Sequence, residues 1–541
     1  MKLSALEQEL KQQTMRIFSL GEEAVRNFAL TVPPPHIKAD ASLSWPLTAA
    51  KLLHKPPIKI AEELAAALKG GFSCEAIKPG FVNINLSDMF LLEEAPEISK
   101  PGYFATDTTE NAKKPKTVLE FVSANPTGPM HLASGRGATL GDSMARIMRA
   151  LGDDISTEFY VNNVGHQVER LGASLKARYN KQEPPEDGYH GDYLITMAEQ
   201  LPPEAANWSE SQFSSYAVEK ILARHKRDMD MFGVKFDCWF LESSLHEQGI
   251  PKKTLEEIRN KGLAYEKDGA TWFGVSSELG SDDKDRVLVK NDGRNTYFLN
   301  DIANHLNKYA RGFDKAIDIF GADHHGYVAR LSSALEALGH GKETFRVIIH
   351  QQVALLKDGQ SIKMSKRAGE FISLRDLVED VGLDACRFFF ASRGPNTHLN
   401  FDVDLAKKRS NDNPVFYVQY VHARICSIFA NAAEKGINAA KELESFDISK
   451  AALNAEERAM LAKLMWMERV LADCVRDFSP HHITTYLTEL AALFHSFYDK
   501  HKVLDPENLP ETAKRLYILK AVKGVIAAAL ELLGVSAPEK M

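Results

Sequence analysis

The sequence predicts an α/β protein with a mostly parallel sheet, preceded by a smaller α+β block and followed by an all-α one. Three observations carry this. From "TVLEFVSANP" onward, short apolar runs alternate with helical ones ("TEFYVNNVG", "KAIDIFGADHHG", "TFRVIIHQQVALL"), as in parallel strands joined by crossover helices. Upstream, "IKIAEELAAALKGG" reads as a helix closed by glycines, and "CEAIKPGFVNINLS" has the β-branched and aromatic content of a strand. Downstream, "FYVQYVHARICSIFANAAEK", "EERAMLAKLMWMERVLADCV" and "AKRLYILKAVKGVIAAALELLG" are helical almost throughout. The polar "TTENAKKPK" reads as a linker, so the expected blocks are 1–110, 111–400 and 401–541.

A hydrophobic content of 44% and a charged content of 26% fit an ordinary folded chain. No apolar run reaches the ~18–20 residues of a membrane helix. The start, "MKLSALEQELKQQTMRIF", reads as an amphipathic helix and lacks the apolar core of a secretory signal. The five cysteines are scattered without a C-x-x-C pair, which implies neither a zinc knuckle nor a disulfide framework. A reduced, cytoplasmic protein is expected. The net charge of −7 does not favour a nucleic-acid binder, but phosphate contacts need only a local basic face.

Residues 123–142, "SANPTGPMHLASGRGATLGD", follow the strand-like "TVLEFV". Leu140, Met144, Ile147, Met148 and Leu151 then mark one helix face, ended by Gly152. Such a strand-to-helix turn is where ligands bind in open α/β sheets. The helix N-terminus suits a phosphate, and glycines let a nucleotide approach the backbone. His131 at its mouth can donate to a phosphate oxygen, or merely cap the helix. The run is neither G-x-G-x-x-G nor a G-K-[ST] phosphate loop. Further on, "DGQSIKMSKRAGEF" places Lys363 and Lys366 around Met364 and Ser365. That is either a solvated basic loop or a clamp for the charge on a leaving pyrophosphate.

Together, His131-Leu-Ala-Ser134 and Lys363-Met-Ser-Lys366 resemble the paired ATP motifs of class I aminoacyl-tRNA synthetases. "EFVSANPTGPMH", "YVNNVGHQVERLG", "TYFLNDIANH", "GADHHGYVARL", "NPVFYVQYVHARICSIF" and "LELLGVSAPEKM" narrow the resemblance to arginyl-tRNA synthetases. It runs from about residue 80 to the last residue, in the family's order. It implies a Rossmann-like catalytic domain with an insertion, an N-terminal tRNA-contacting domain and a C-terminal anticodon-binding bundle. It also implies a monomer that joins L-arginine to tRNA(Arg) through arginyl-adenylate, using ATP with Mg²⁺ and no protein-bound zinc. In this family the adenylation step typically requires bound tRNA.

The resemblance assigns catalytic roles to His131, Ser134, Lys363 and Lys366. ATP would also meet Ala133, Gly135, Gly321, Asp323, His324, His325, Met364 and Ser365. Arginine would meet Glu120, Ser123, Asn125, Tyr297, Asp301, His305 and Gln351. Physical chemistry supports part of this pocket: a guanidinium calls for carboxylates and an aromatic wall, and Tyr297 and Asp301, four apart, share a helix face. Tyr297 read alone is ordinary core packing. Asp323, His324 and His325 are metal ligands by type but lack a placed third ligand set. In the last block Tyr417, Tyr420, His422 and Arg424 suit unpaired RNA bases, although their helical spacing also fits core contacts.

The family motif reads H-x-G-H, and here Ala133 and Ser134 replace its last two residues. Losing one transition-state donor can cost on the order of 3 kcal/mol, ~100-fold in rate. Asn163 also stands where relatives often carry Asp. Two functional classes fit: an active ligase with an atypical ATP motif, or a tRNA-binding paralogue with reduced ligase activity. The intact lysine loop, arginine pocket and anticodon block favour the first.

Overall fold

A computed structural model describes residues 2–34, 36–100, 102–105, 114–274, 285–362 and 373–541. The N-terminal region forms α1 (Leu3–Phe18), β1 (Leu30–Thr31), β2 (Ala41–Leu43), α2 (Trp45–Leu53), α3 (Pro57–Ala67), β3 (Phe72–Ile77), β4 (Phe81–Leu86) and α4 (Asp88–Ile98). Its strands pair antiparallel in the order β1-β2-β4-β3. "CEAIKPGFVNINLS" is thus a hairpin rather than one strand. Pro79, which has no N–H for the ladder, and Gly80 make the turn.

The central region begins with β5 (Lys116–Phe121), α5 (Leu132–Ala150) and β6 (Asp154–Val161). A helical insertion follows: α6 (His166–Tyr179), α7 (Tyr193–Glu199) and α8 (Glu210–Met231). Next come β7 (Cys238–Leu241), α9 (Glu242–Glu247), α10 (Ile250–Asn260), and a small antiparallel sheet of β8 (Ala264–Lys267), β9 (Ala270–Phe273) and β10 (Arg286–Val289). Then α11 (Tyr297–Ala310), β11 (Lys315–Gly321), α12 (His325–Ala337) and β12 (Phe345–His350) complete the main sheet. Its described strands are all parallel, in the order β12-β11-β5-β6-β7. Val118, Leu119 and Phe121 are buried on both faces of β5, which explains the unbroken apolar run. From β5 the chain moves first to β6 on one side and later to β11 on the other. That reversal opens a crevice beyond the carboxyl ends of β5 and β11.

The segment "TFRVIIHQQVALL" breaks at Gln351 and Gln352 into β12 and β13 (Val353–Lys357). After β14 (Gln360–Ile362) come α13 (Leu374–Val381), α14 (Leu383–Ala391), β15 (Leu399–Asp402) and α15 (Val403–Lys407). The C-terminal region is helical: α16 (Pro414–Ala430), α17 (Ala439–Ser445), α18 (Ala455–Met465), α19 (Met467–Asp477), α20 (His481–Lys500) and α21 (Leu509–Leu532). It is stapled to the N-terminal region by Arg458, which donates to Asp88 Oδ1 at 2.7 Å and pairs with Asp40. Trp466 Nε1 donates to the Asp40 carbonyl at 3.1 Å, and the Tyr517 hydroxyl to that of Leu92 at 3.1 Å. Buried Arg387 ties the C-terminal region to α5, pairing with Asp142 and donating to the Leu533 and Phe232 carbonyls at 2.7 and 3.0 Å.

Helix α5 departs from its expected one-faced pattern. It is enclosed nearly all round, including Arg136, Thr139, Asp142 and Ser143, because β5 and β6 pack on one side and α13, α14 and α19 on the other. Arg136 donates to the carbonyls of Gln351, Gly394 and Thr397 at 2.7–2.9 Å, which satisfies a cation with little access to water. A Cβ on Gly141 would lie 2.2 Å from Phe121 Cγ, so the glycine permits α5 to touch β5. Gly141→Ala should therefore lower stability by about 2 kcal/mol through overpacking. A thermal melt compared with Gly152→Ala in the turn beyond α5 separates this packing loss from simple backbone strain.

Candidate active site

His131 is the N-cap of α5. Its Nδ1 accepts from the Ala133 N–H at 3.1 Å, so the ring proton sits on Nε2. The neutral tautomer therefore offers a donor at the helix mouth. Directly after β5, Val122 and Ser123 take positive φ values of 69° and 40°. For a β-branched valine that is a strained turn of the kind found at ligand sites. The strain is held by Ser123 Oγ, which donates to Glu120 Oε1 at 2.9 Å and accepts from Tyr160 N–H at 3.1 Å.

Beyond the ends of β5 and β11 lies a cavity of about 540 Å³. It brings together Glu120, Ser123, Asn125, Ala133, Ser134, Tyr297, Asp301, His305, Gly321 and Asp323, as expected from the sequence. One end is formed by the α5 N-terminus, whose partial positive charge and Ala133–Ser134–Gly137 edge suit an anion. The other end is acidic. Asp301, partly buried in the cavity wall, accepts from the Tyr327 hydroxyl. Burial, reinforced by Glu242 and Asp318, pushes its carboxyl up to about 6, against the opposing effect of Tyr327 and His305. Tyr297 stands at the same end with 61% of its surface exposed, so it is an aromatic at the mouth rather than a core residue.

Beneath this end is a buried ion cluster. Lys308 Nζ lies 2.6 Å from Glu120 Oε2 and 2.9 Å from Asp318 Oδ1. Burial works against the ammonium, but Asp318, Glu120 and Glu158 outweigh it and hold Lys308 above the usual lysine range. Burial likewise raises Glu120, whereas Lys308 and His305 overcome burial to hold Asp318 low. His305 donates from Nε2 to Asp318 Oδ2 at 2.6 Å and from Nδ1 to the Asp301 carbonyl at 2.7 Å. It lines the cavity but serves mainly as a prop beneath the carboxylates.

Of the expected contacts, His131 caps α5 without forming part of the cavity lining, and three others lie elsewhere. Gly135 faces away from the cavity: a Cβ there would sit 2.6 Å from Leu374 Cδ1, whereas Gly137 lines the cavity against His350 Nε2, 3.2 Å from where its Cβ would lie. Gln351 is absent from the lining and spends its main chain on Arg136 and on the Pro395 carbonyl. His422 is buried and its Nδ1 donates to the Pro538 carbonyl at 2.8 Å, so it is a packing residue. Its neighbours differ: Tyr417 and Tyr420 stack on His495, and the Arg424 guanidinium lies over Tyr420 and Tyr498. The side chains of His324 and His325, and Lys363, Met364, Ser365 and Lys366, lie outside the described residues.

The cavity also contains residues not singled out from the sequence. Asn162, Tyr160 and Asn304 line its acidic half, and Tyr327 and His350 close it. Glu242 stands behind, accepting from Asn300 Nδ2 at 3.0 Å, and burial raises its carboxyl. Burial pushes His350 down to about 4, leaving a neutral ring beside Gly137. Asn163 exchanges two hydrogen bonds with Ser243, at 3.0 and 3.1 Å, and so fixes the end of β6 against α9.

A single cavity thus joins a carboxylate-and-tyrosine end to a helix N-terminus. Comparison with known proteins gives this arrangement a family. The chain is 52% identical to the arginine–tRNA ligase of Elusimicrobium minutum over 515 residues, 95% of each protein. With that of Bacillus subtilis it shares 41% over 553 residues, covering 99% of this chain and 98% of that one. The chain belongs to the arginine–tRNA ligase family. Its residues 4–86 match the arginyl tRNA synthetase N-terminal domain, 207–396 the class I (R) tRNA synthetase catalytic domain, and 418–541 the DALR anticodon binding domain. The fold is shared with the arginyl-tRNA synthetase structures of Thermus thermophilus (TM-score 0.75, 21% identity, 100% of both chains) and Plasmodium falciparum (0.77, 16%, 99% of both). The reading of the chain as a tRNA-binding paralogue of reduced activity gains no support, since its full-length relatives are arginine–tRNA ligases. Class I synthetases use ATP, and among the described residues no helix is long and apolar enough to cross a membrane.

Because folding raises the Asp301 pKa, the protonated side chain contributes stability at low pH, and that contribution is lost as pH rises through about 6. The rise from 3.8 to about 6 corresponds to about 3 kcal/mol against the ionised free protein. Asp301→Asn should accordingly raise the melting temperature at pH 7.5 and leave it nearly unchanged at pH 4. The same variant should lose arginine affinity while retaining ATP affinity, as read by calorimetric titration of each ligand.

Proposed function

We propose that this protein is an arginine–tRNA ligase that activates L-arginine with ATP and transfers it to tRNA(Arg). The observation that carries this is the two-ended cavity, with an acidic end that suits a cation and a helix N-terminus that suits an anion. Asp301 and Glu120 meet the guanidinium and α-amino group, Tyr297 closes over the aliphatic stem, and Asn125 and Ser123 orient the amino acid. ATP lies along Gly321 and Asp323, with adenosine also near His324 and His325. Its phosphates lie at His131, Ala133 and Ser134. Mg²⁺ enters with ATP as part of the substrate. The arginine carboxylate attacks the α-phosphate. His131 Nε2 and the Ser134 hydroxyl donate to the phosphate oxygens, while Lys363 and Lys366 neutralise the departing pyrophosphate. The terminal ribose hydroxyl of tRNA(Arg) then attacks the adenylate carbonyl and releases AMP.

The half-exposed Tyr417, Tyr420 and Arg424 offer aromatic faces and a cation to unpaired anticodon bases. We take the protein to act as a cytoplasmic monomer, with the N-terminal region touching the same tRNA. Ser134 is shorter than histidine and never charged, so it stabilises the α-phosphate through one neutral donor. His131 and the α5 N-terminus supply the remainder.

Aminoacylation of tRNA(Arg) with labelled arginine tests the reading directly. The wild type should charge arginine and not lysine, because a planar guanidinium alone can use the carboxylate fork. Ser134→Ala should lower kcat for adenylation by about tenfold or more, and Lys366→Ala should do likewise, with little change in the KM for arginine. Absence of charging by soluble wild type would overturn the assignment.

A further inference from the structure

Helix α8 spans 22 residues and reaches from the insertion into the catalytic core. Its first half packs with α6 and α7 around Leu171, Leu175 and Phe213. At its other end Met229 is buried in the main core. Where α8 passes the site, two polar side chains project from one turn, three residues apart and therefore on one face. His225 Nε2 donates to the Gly128 carbonyl at 2.8 Å, in the turn leading to His131. Asp228 Oδ1 accepts from Nε and Nη2 of Arg375 on α13 at 3.0 and 2.6 Å. His225 and Asp228 are each only 1% exposed. Apolar residues would fill the same volume without the desolvation cost of a buried carboxylate and imidazole.

The two segments held by α8 also meet each other. Leu374 N–H donates to the Met130 carbonyl at 3.1 Å, and Ser373 bridges to His131. One helix turn thus anchors both the approach to His131 and the start of α13. On a neighbouring face of α8, Lys220, Arg224 and Arg227 follow at successive helix turns. With Pro129, Tyr193 and Gln200 they line a cleft of about 320 Å³, which Glu219 also borders. Tyr193 ties the cleft to the same turn, its hydroxyl donating to the Thr127 carbonyl at 2.5 Å. Arg224 shares Asp228 with Arg375: its Nε lies 3.8 Å from Asp228 Oδ2. The cleft's arginine and the α13 arginine therefore draw on one carboxylate.

We propose that this cleft takes a backbone phosphate of tRNA and that α8 relays its occupancy to the turn before His131 and to the start of α13, with His225 and Asp228 as positioning residues. The proposal rests on tRNA being the substrate, as argued above. A phosphate that draws Arg224 outward leaves Asp228 to Arg375. The stronger pair holds α13 against His131, while Pro129, forming the cleft wall, passes the contact through the Gly128–His225 bond. Occupancy of the insertion thereby favours one arrangement of the adenylation site, which is a coupling free energy between two sites.

The test is ATP–pyrophosphate exchange by the full-length protein with arginine and a titration of tRNA(Arg), alongside direct tRNA binding on filters. Arg224→Gln with Arg227→Gln should raise the half-stimulating tRNA concentration about tenfold and, by leaving Asp228 to Arg375, raise the exchange rate without tRNA. Asp228→Asn should lower the exchange rate at saturating tRNA about tenfold, with tRNA affinity unchanged. Arg375→Met should do the same, and the double variant with Asp228→Asn should be no worse than either alone. Arg375 is part-exposed, so Arg375→Met carries the test if Asp228→Asn melts early. Normal charging with undiminished tRNA stimulation in these variants overturns the relay. So does a loss of tRNA affinity in step with rate, or losses that multiply in the double variant. If the wild type charges no tRNA(Arg), the functional reading fails first and takes the relay with it.

Discussion

The ammonium of Lys308, enclosed between Glu120 and Asp318, is the interaction on which the rest of the site depends. In the parallel sheet Asp318 stands directly across from Glu120, so neighbouring strands present two carboxylates to one face. Buried like charges at that spacing repel strongly, and the sheet could not close there without a cation between them. Lys308 supplies it from the last turn of α11. The same helix carries Tyr297 and Asp301 in its first two turns. One ion cluster thereby joins β5 to β11 and also fixes how far the substrate-facing turns of α11 stand above the sheet.

This arrangement explains how a pocket for a cation can be built from carboxylates without collapsing. Lys308 pairs with Glu120 and Asp318, and His305 hydrogen-bonds Asp318, so the floor is partnered from within the protein. Asp301 lies outside that cluster, held by the neutral hydroxyl of Tyr327. Its raised pKa reflects burial first, reinforced by the Glu242 and Asp318 carboxylates nearby. The opposite end uses a different device: backbone amides and one neutral histidine in place of fixed positive charge. The cavity is thus polarised along its length, and a substrate pair of cation and polyanion has one sensible orientation in it.

Much of this was legible in the sequence wherever the signal was local. The apolar run before Pro126, the Thr-Gly-Pro turn and the following helical period placed His131 and Ser134 at a helix mouth. The four-residue spacing of Tyr297 and Asp301 placed them on one face. What stayed hidden depends on tertiary neighbours. Lys308 looks like any helix lysine, and its Glu120 partner lies 188 residues away. Gly135 and Gly137 are indistinguishable until Leu374 and His350 are seen beside them. His422 shares its helix with Tyr420 and Arg424, and only the returning C-terminus claims its ring. Gln351 sits at a break between two strands that reads as one continuous apolar segment.

The Arg458 staple has a consequence for the way the chain is made. The N-terminal region leaves the ribosome first, yet Arg458, Trp466 and Tyr517, which grip it at Asp40, Asp88 and Leu92, are among the last parts translated. Domains generally fold in order of synthesis. The first domain therefore exists for most of translation with its docking face, including the Asp40 and Asp88 carboxylates, open to water. Those two carboxylates stay hydrated until a guanidinium arrives late in synthesis and joins the two regions.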